Sequence, residues 1–234
     1  MKLADPSLLK SQCLVDGKWV GEGTRPIANP ATGAVLSKTP RFGEAETIGA
    51  IEAAHRAFGP WAKTLPKERA QILRRWFDLI IANRDDIALI MTSEQGKPLA
   101  EARGEVDYAA AYIEYFGEEA KRIYGEINPT FRADSRIVVV KQPIGVVAAI
   151  TPWTFPAAMI TRKVAPAIAV GTLRVRLGLF ALVHHTVDVT ELAVDDLDVD
   201  TGVGCPHGLS HQLGLEQGQG RAAAGQAERG HALT

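Results

Sequence analysis

The chain of 234 residues has little of what builds a disulfide-stabilised, zinc-binding or membrane-spanning protein. Its two cysteines, Cys13 and Cys205, do not share a CxxC spacing. Neither a disulfide framework nor a zinc site is therefore indicated, and a reducing cytoplasmic compartment is expected. The longest apolar stretches are far shorter than the roughly 20 residues that cross a bilayer. The first segment, MKLADPSLLK, lacks the apolar region of a signal peptide, which favours an unsecreted protein.

The chain also lacks an excess of charge. Its formal net charge is −1, so no overall field attracts nucleic acid or an anionic membrane. Hydrophobic residues make up 46% and charged residues 23%, which is typical of soluble globular proteins. A chain of this length can bury a substantial core. These features predict a soluble globular protein without a nucleic-acid or membrane partner.

Local patterns predict a helical region that follows a β-hairpin. Asp16-Gly17 stands between short apolar runs and indicates a two-residue hairpin turn. From Glu44 to about Tyr124, apolar residues recur at helical spacing and predict four helices. Pro66 suits the first turn of the second helix, and Gly96 suits the position just after the third.

The segment RIVVVKQPIGVVAAI predicts two strands separated at Gln142-Pro143. The second strand, residues 145–150, is apolar at every position except its glycine, which is typical of a parallel strand buried on both faces. A loop at residues 151–155 and a helix from about Pro156 follow. This order predicts an α/β fold with a ligand site at the loop, because ligands bind beyond the carboxyl ends of parallel strands. A plain proline-rich connection explains the same spacing equally well.

A colinear series of motifs extends from about Leu14 to Gly171: VDGKWV, NPATG, AIEAAHRAF, PWAKT, ERAQILRRW, SEQGKPLAEARGEV, QPIGVVAAITPW and FPAAMITRKVAPA. In this order they resemble the aldehyde dehydrogenase superfamily. The segments EQGKPLAEARGE and FPAAMITRK are most similar to its succinate-semialdehyde dehydrogenases. The resemblance implies the N-terminal part of that fold: a helical segment, an incomplete Rossmann-like parallel sheet and β strands used for oligomerisation. It also implies NAD- or NADP-dependent oxidation of an aldehyde, most similar to the conversion of succinate semialdehyde to succinate.

The resemblance assigns roles to three residues. Family members attack the aldehyde with a cysteine thiolate, transfer a hydride to the nicotinamide and use a glutamate in thioester hydrolysis. Thr154 stands where the family has an asparagine that donates a hydrogen bond to the oxyanion, so its hydroxyl is the candidate donor, at a catalytic and cofactor-binding position. Trp153 matches a tryptophan beside the cofactor. Arg162 matches an arginine that holds the substrate carboxylate, although a solvated helix arginine is the alternative interpretation.

The sequence departs from the family after Gly171. Aligned without a gap, the family's cofactor-binding lysine falls on Leu177 and its glutamate on Phe180. Its glycine-rich loop, catalytic glutamate and nucleophile motifs are not found, and Cys205 has no family neighbours. We therefore expect residues 1–171 to be the aldehyde dehydrogenase-like region and residues 172–234 an unrelated tail. The chain is then truncated and inactive, with little basis for binding NAD or NADP by itself.

The composition of residues 172–234 favours a frameshift. This segment contains no Lys, Ile, Asn, Tyr, Trp or Met, yet it holds five of the six histidines. A GC-rich gene translated in the wrong frame produces such a bias. Two alternatives are a metal site formed by His184, His185, Cys205, His207 and His211, and an acidic interaction module over residues 188–200.

The tail should also be structurally distinct. Its first segment, TLRVRL, alternates apolar residues with Arg174 and Arg176, so a central place in the sheet would bury two arginines. We expect residues from about 187 to be irregular and to contact the helices of residues 44–124 little. The edge of residues 146–150 should then be exposed. A fragment of this kind could form a homo-oligomer or pair with an intact aldehyde dehydrogenase subunit without catalysing the reaction.

Overall fold

The computed structural model describes residues 1–178 and 205–206, with side chains as far as residue 172. The chain begins with two hairpins, formed by β1 (Cys13–Val15) with β2 (Lys18–Val20) and by β3 (Arg25–Ala28) with β4 (Val35–Thr39). Asp16 and Gly17 have φ values of 56° and 68° at the first turn, which is the left-handed backbone of a type I′ turn. The predicted hairpin is therefore confirmed.

Four helices follow, as the periodicity predicts. They are α1 (Glu44–Lys63), α2 (Pro66–Ala82), α3 (Arg84–Gln95) and α4 (Leu99–Glu119). Pro66 occupies the first turn of α2, and Gly96 ends α3 with a φ of 80°. The large buried side chains between these helices include Trp61, Leu73 and Ile113, each 0% exposed. A short 3₁₀ turn of residues 120–122 follows α4, so the fourth helix ends slightly earlier than predicted.

Helix α1 buries a different face from the one that its large apolar residues indicate. Ile48 and Ile51 are 47% and 44% exposed, whereas Ala50 and Ala54 are buried. Ala50 and Ala54 form a small cluster with Val15 and Val146. Small side chains let the helix approach the neighbouring sheet closely, and this packing outweighs the burial of the two isoleucines.

The second half of the described chain contains a βαβ unit. A hairpin of β5 (Glu126–Asn128) and β6 (Ile137–Val139) precedes β7 (Val146–Thr151) and α5 (Pro156–Ala169). After α5 the chain returns as β8 (Leu173–Gly178), which pairs in parallel with β7 from Val146 opposite Leu173. The predicted α/β class, with a parallel sheet and a helix near Pro156, is confirmed.

Two expectations about this sheet are wrong. The short β9 (Cys205–Pro206) pairs with the other side of β8, so β8 lies between two strands despite its alternating sequence. The connection through α5 places the returning strand beside β7, and backbone pairing does not depend on side-chain pattern. The faces of β7 are also covered unequally, because Ile150 is 59% exposed while Ala149 is 4% exposed.

One edge of β7 lies at the end of this three-stranded sheet, as expected. Residues 179–204 and 207–234 lie outside the described residues, and so do the expectations about their structure, including the metal site and the acidic module. The boundary at residue 171 stays a prediction. No helix within residues 1–178 has both the length and the apolar character needed to cross a membrane.

Candidate functional site

The candidate site is the loop of residues 151–155, which joins the carboxyl end of β7 to the start of α5. Its backbone is held from the end of α3. The Gln95 side-chain amide donates hydrogen bonds to the carbonyl oxygens of Trp153 at 2.5 Å and Thr154 at 3.3 Å. The Lys97 ammonium donates to the same Thr154 carbonyl at 3.2 Å. Three hydrogen bonds from one short segment therefore fix the path of the loop.

A buried carboxylate from α4 supports the same region. Glu105, whose side chain is 1% exposed, forms an ion pair with Lys97. Its other oxygen accepts hydrogen bonds from the backbone N–H groups of Ala157 at 2.9 Å and Ala158 at 3.4 Å. The residue that precedes α5, Phe155, supplies no side-chain cap. Glu105 therefore caps α5 from a neighbouring helix, where its negative charge favours the positive end of the helix dipole.

The three predicted site residues lie along the loop and one exposed face of α5. Trp153 is partly buried and packs against the main core. Thr154 is exposed, and within the described part of the chain its hydroxyl makes no hydrogen bond. Arg162 is exposed on α5, with a guanidinium nitrogen 3.6 Å from the sulfur of Met159. Arg162 lies seven positions after Phe155, which corresponds to about 10 Å along a helix.

The spacing of Phe155, Met159 and Arg162 places them at positions i, i+4 and i+7, on one side of α5. Phe155 is 43% exposed, and the Lys97 ammonium lies 4.4 Å from its ring centroid. An aromatic ring, a thioether and a guanidinium thus follow one another away from the loop. This arrangement can bind a short molecule that has an apolar middle and an anionic end.

Sequence reasoning missed the residues that hold the loop. It interpreted residues 94–97 as a helix end, and Gly96 does adopt that role. Gln95 and Lys97, on either side of it, nevertheless contact residues more than fifty positions away. The spacing of residues in the sequence does not predict the contact of Lys97 with Glu105 or that of Glu105 with α5. The only signal for this segment was the motif EQGKPLAEARGE as a whole, through its resemblance to the family.

Glu94 is a buried carboxyl next to this network. It is 7% exposed, and neither of its oxygens has a hydrogen-bond partner among the described residues. Burial raises the pKa of Glu94 from 4.5 to about 8, because the charged form loses its hydration. The carboxyl is therefore protonated in the folded protein at neutral pH.

We expect Glu94 to make the folded state less stable as the pH rises from about 4.5 to about 8. Over this range the unfolded chain has released the proton and the folded chain still holds it, so the free energy of unfolding falls with pH. Glu94→Gln should remove this dependence and raise the free energy of unfolding at about pH 8.5 by roughly 2–4 kcal/mol. Urea denaturation of the wild type and of Glu94→Gln, at about pH 5 and about pH 8.5, measures the free energy of unfolding.

Glu52→Gln is the matched control, because Glu52 is exposed on α1. It should follow the wild-type pH dependence throughout. An unchanged pH dependence in Glu94→Gln would show that Glu94 ionises normally in the folded protein.

The described residues fit a nicotinamide cofactor only in part. The loop lies at the carboxyl end of a parallel strand, where nucleotides bind in open α/β sheets. The amino end of α5, however, already holds the Glu105 carboxylate, which would repel a diphosphate. Lys97, which donates a hydrogen bond to the loop, is paired with Glu105. The phosphate-binding groups are therefore not provided by this helix end. No cluster of three or more potential metal ligands occurs within the described residues.

The chain is similar to known proteins over the region that contains this loop. A model of the aldehyde dehydrogenase family matches residues 19–176. The chain is 53% identical over 196 residues to glutarate-semialdehyde dehydrogenase of Pseudomonas aeruginosa, an alignment that covers 82% of this chain and 41% of that protein. It is 50% identical over 198 residues to the NADP(+) succinate-semialdehyde dehydrogenase of Escherichia coli, covering 83% of this chain and 41% of that protein.

Solved structures agree with these sequence relatives. The structure of succinate-semialdehyde dehydrogenase from Burkholderia pseudomallei matches with a TM-score of 0.83 and 50% identity, covering 88% of this chain and 44% of that one. The chain thus spans about two fifths of the length of the curated relatives it matches. The similarity includes β7, the loop and α5, which lie within the region that the family model matches.

Proposed function

Because the chain belongs to the aldehyde dehydrogenase family, we propose that it provides the substrate-facing loop and helix of a cytoplasmic NAD- or NADP-dependent dehydrogenase for a carboxylate-bearing aldehyde. Succinate semialdehyde, which this reaction converts to succinate, is the preferred candidate. Relatives at about 50% identity carry the names of succinate- and glutarate-semialdehyde dehydrogenases. Both of those aldehydes have a carboxylate at the end opposite the aldehyde.

The exposure of Arg162 is the observation that carries the proposal. Within the described residues its guanidinium has no carboxylate partner, although most other arginines of the helices do. An arginine offers two parallel N–H groups to a carboxylate. The apolar side chains of Met159 and Phe155 lead from Arg162 back to the loop. A semialdehyde lying along this face would place its aldehyde end near Thr154.

The loop residues would act at the aldehyde end. The Thr154 hydroxyl can donate a hydrogen bond to an oxygen that becomes negatively charged, although it is shorter than the asparagine amide of the family. The hydrogen bonds from Gln95 and Lys97 hold the backbone that carries it. Trp153 would border the cofactor, which accepts a hydride when bound. The chain lacks the family's nucleophile, general-base and cofactor-lysine motifs, so we propose that it does not turn over substrate by itself.

We expect succinate to bind this chain through Arg162. Replacing Arg162 with Gln should weaken binding about tenfold or more, because a charge-assisted hydrogen bond contributes roughly 1.5–3 kcal/mol. Isothermal titration calorimetry at low salt measures the dissociation constant. Arg41→Gln is the control, since Arg41 is also an exposed arginine but lies far from α5 in sequence. Equal affinity in the two variants would contradict the proposed substrate class.

A second role is favoured by the exposed hairpin of β5 and β6. Ile127 is 72% exposed, Val138 63% and Val140 67%, and Phe131 in the connecting turn is 95% exposed. Contiguous exposed apolar surface of this kind marks an interaction site. The resemblance implies oligomerisation strands around Arg136 to Gln142, a range that includes β6. We propose that the chain uses them to form a homo-oligomer or to join an intact subunit.

We expect Val138→Lys to reduce this association. The lysine would place a hydrated charge where an apolar contact forms, so co-purification of the tagged chain with the full-length Escherichia coli relative should fall several-fold. Glu126→Lys places the same side chain on the neighbouring strand, at a residue that is already charged, and serves as the control. Undiminished co-purification of Val138→Lys would exclude this hairpin as the interface.

A further inference from the structure

Two tyrosines lie on α4, which packs against α5, the helix that carries Arg162. Tyr108 and Tyr112 are one helical turn apart, and their hydroxyl oxygens form a hydrogen bond. Their ring centroids are 4.9 Å apart. Tyr108 is 49% exposed and Tyr112 is partly exposed, so the paired hydroxyls are accessible to solvent. Neither the packing of the core nor the support of the loop requires them.

The packing of α4 against α5 brings this pair towards Arg162. Glu105 contacts the N–H groups of Ala157 and Ala158, which aligns the early part of α4 with the start of α5. Tyr112 lies two turns further along α4, and Arg162 lies more than one turn further along α5. Both positions advance in the same direction, because Gly117 near the end of α4 and Ala169 at the end of α5 both lie against the first half of α2.

The pKa of Tyr112 agrees with a position of the tyrosine pair near Arg162. The pKa of Tyr112 is raised, chiefly by its hydrogen bond with Tyr108, while the positive charge of Arg162 acts to lower it. Charges influence neighbouring groups over roughly 8–10 Å at physiological salt, so this effect agrees with the packing of α4 against α5. The acidic residues of α4 on either side, Asp107 and Glu114, are engaged by Arg84 and Arg74. They do not neutralise Arg162.

We propose that Tyr108 and Tyr112 complete the carboxylate subsite of Arg162 and thereby select aldehydes that carry a terminal carboxylate. This inference rests on the proposed function and adds two specificity-determining residues to it. The hydroxyl pair has two protons and uses one of them internally, so one O–H remains to donate to a ligand. The ligand carboxylate then accepts hydrogen bonds from the guanidinium and from the tyrosine. In this arrangement the Tyr112 hydroxyl donates to the ligand carboxylate, and Tyr108 orients it.

The test is a succinate titration of the full chain, followed by NMR chemical shifts, with single and double variants. Tyr112→Phe and Tyr108→Phe should each weaken binding by about threefold to tenfold, as expected for one neutral hydrogen bond. Tyr115→Phe is the matched control, because Tyr115 is 58% exposed on the same helix, and it should bind as the wild type does. The loss of succinate affinity caused by Tyr112→Phe should be much smaller when Arg162 is already replaced with Gln. The Tyr112 hydroxyl and the Arg162 guanidinium bind the same carboxylate, so their contributions depend on each other.

The outcomes separate this inference from the function on which it rests. Weak binding by Arg162→Gln together with wild-type affinity in both tyrosine variants would overturn the role of the tyrosines and leave the carboxylate site intact. Additive effects of Arg162→Gln and Tyr112→Phe would also overturn it, since a purely structural effect is independent of Arg162. Wild-type affinity in Arg162→Gln, or no binding by the wild-type chain, would overturn the proposed substrate class and this inference together.

Discussion

The purified chain is expected to produce no measurable NADH or NADPH from succinate semialdehyde. The sequence lacks the family's cysteine motif, its general-base glutamate motif and its cofactor-binding lysine, and Thr154 replaces the asparagine of the oxyanion site. Loss of one such group commonly lowers turnover by several orders of magnitude, and residues that act on one step leave little activity when several are absent.

A spectrophotometric assay at 340 nm, with the full-length Escherichia coli relative as the positive control, measures this directly. Activity of the chain clearly above a heat-killed sample would contradict the expectation. Cys205→Ser would then show whether Cys205 supplies the thiolate, because loss of that activity would identify it as the nucleophile.

The second large effect is expected from Glu105→Gln. The substitution leaves the Lys97 ammonium, whose side chain is 12% exposed, without its anionic partner and weakens the cap of α5. Breaking a buried ion pair from one side destabilises proteins by roughly 3–5 kcal/mol. Urea denaturation should report a loss of about this size, and the backbone amides of Ala157 and Ala158 should exchange hydrogen faster.

Glu118→Gln is the control for this experiment. Glu118 lies exposed in the last turn of α4, so its replacement should change the free energy of unfolding by no more than about 0.5 kcal/mol. If Glu105→Gln is equally mild, the carboxylate does not support the loop, and the hydrogen bonds from Gln95 and Lys97 hold it without Glu105.

Features that depend on neighbouring residues were predictable from the sequence. The turn at Asp16-Gly17, the start of α2 at Pro66 and the end of α3 at Gly96 follow from backbone preferences that act locally. The place of the loop was also predictable, since an apolar strand precedes it and a helix-starting proline follows it.

Features that depend on distant contacts were not predictable. The contact between Gln95 and Trp153 joins residues 58 positions apart, and that between Glu105 and Ala157 joins residues 52 apart. The alternating pattern of β8 argued against a central place in the sheet, whereas the connection through α5 sets that place. Side-chain size alone does not indicate the buried face of α1, because its alanines, rather than its isoleucines, lie against the sheet.

The central claim is that residues 153–162 form the binding face for a carboxylate-bearing aldehyde. Its most direct test is an NMR titration of the isotope-labelled chain with succinate, following the backbone amides and the arginine side-chain Nε–H signals. The account predicts saturable shifts at the Arg162 Nε–H and at the amides of residues 153–162, with no comparable change at Arg41. Shifts confined to other parts of the chain, or no saturable shift at Arg162, would contradict it.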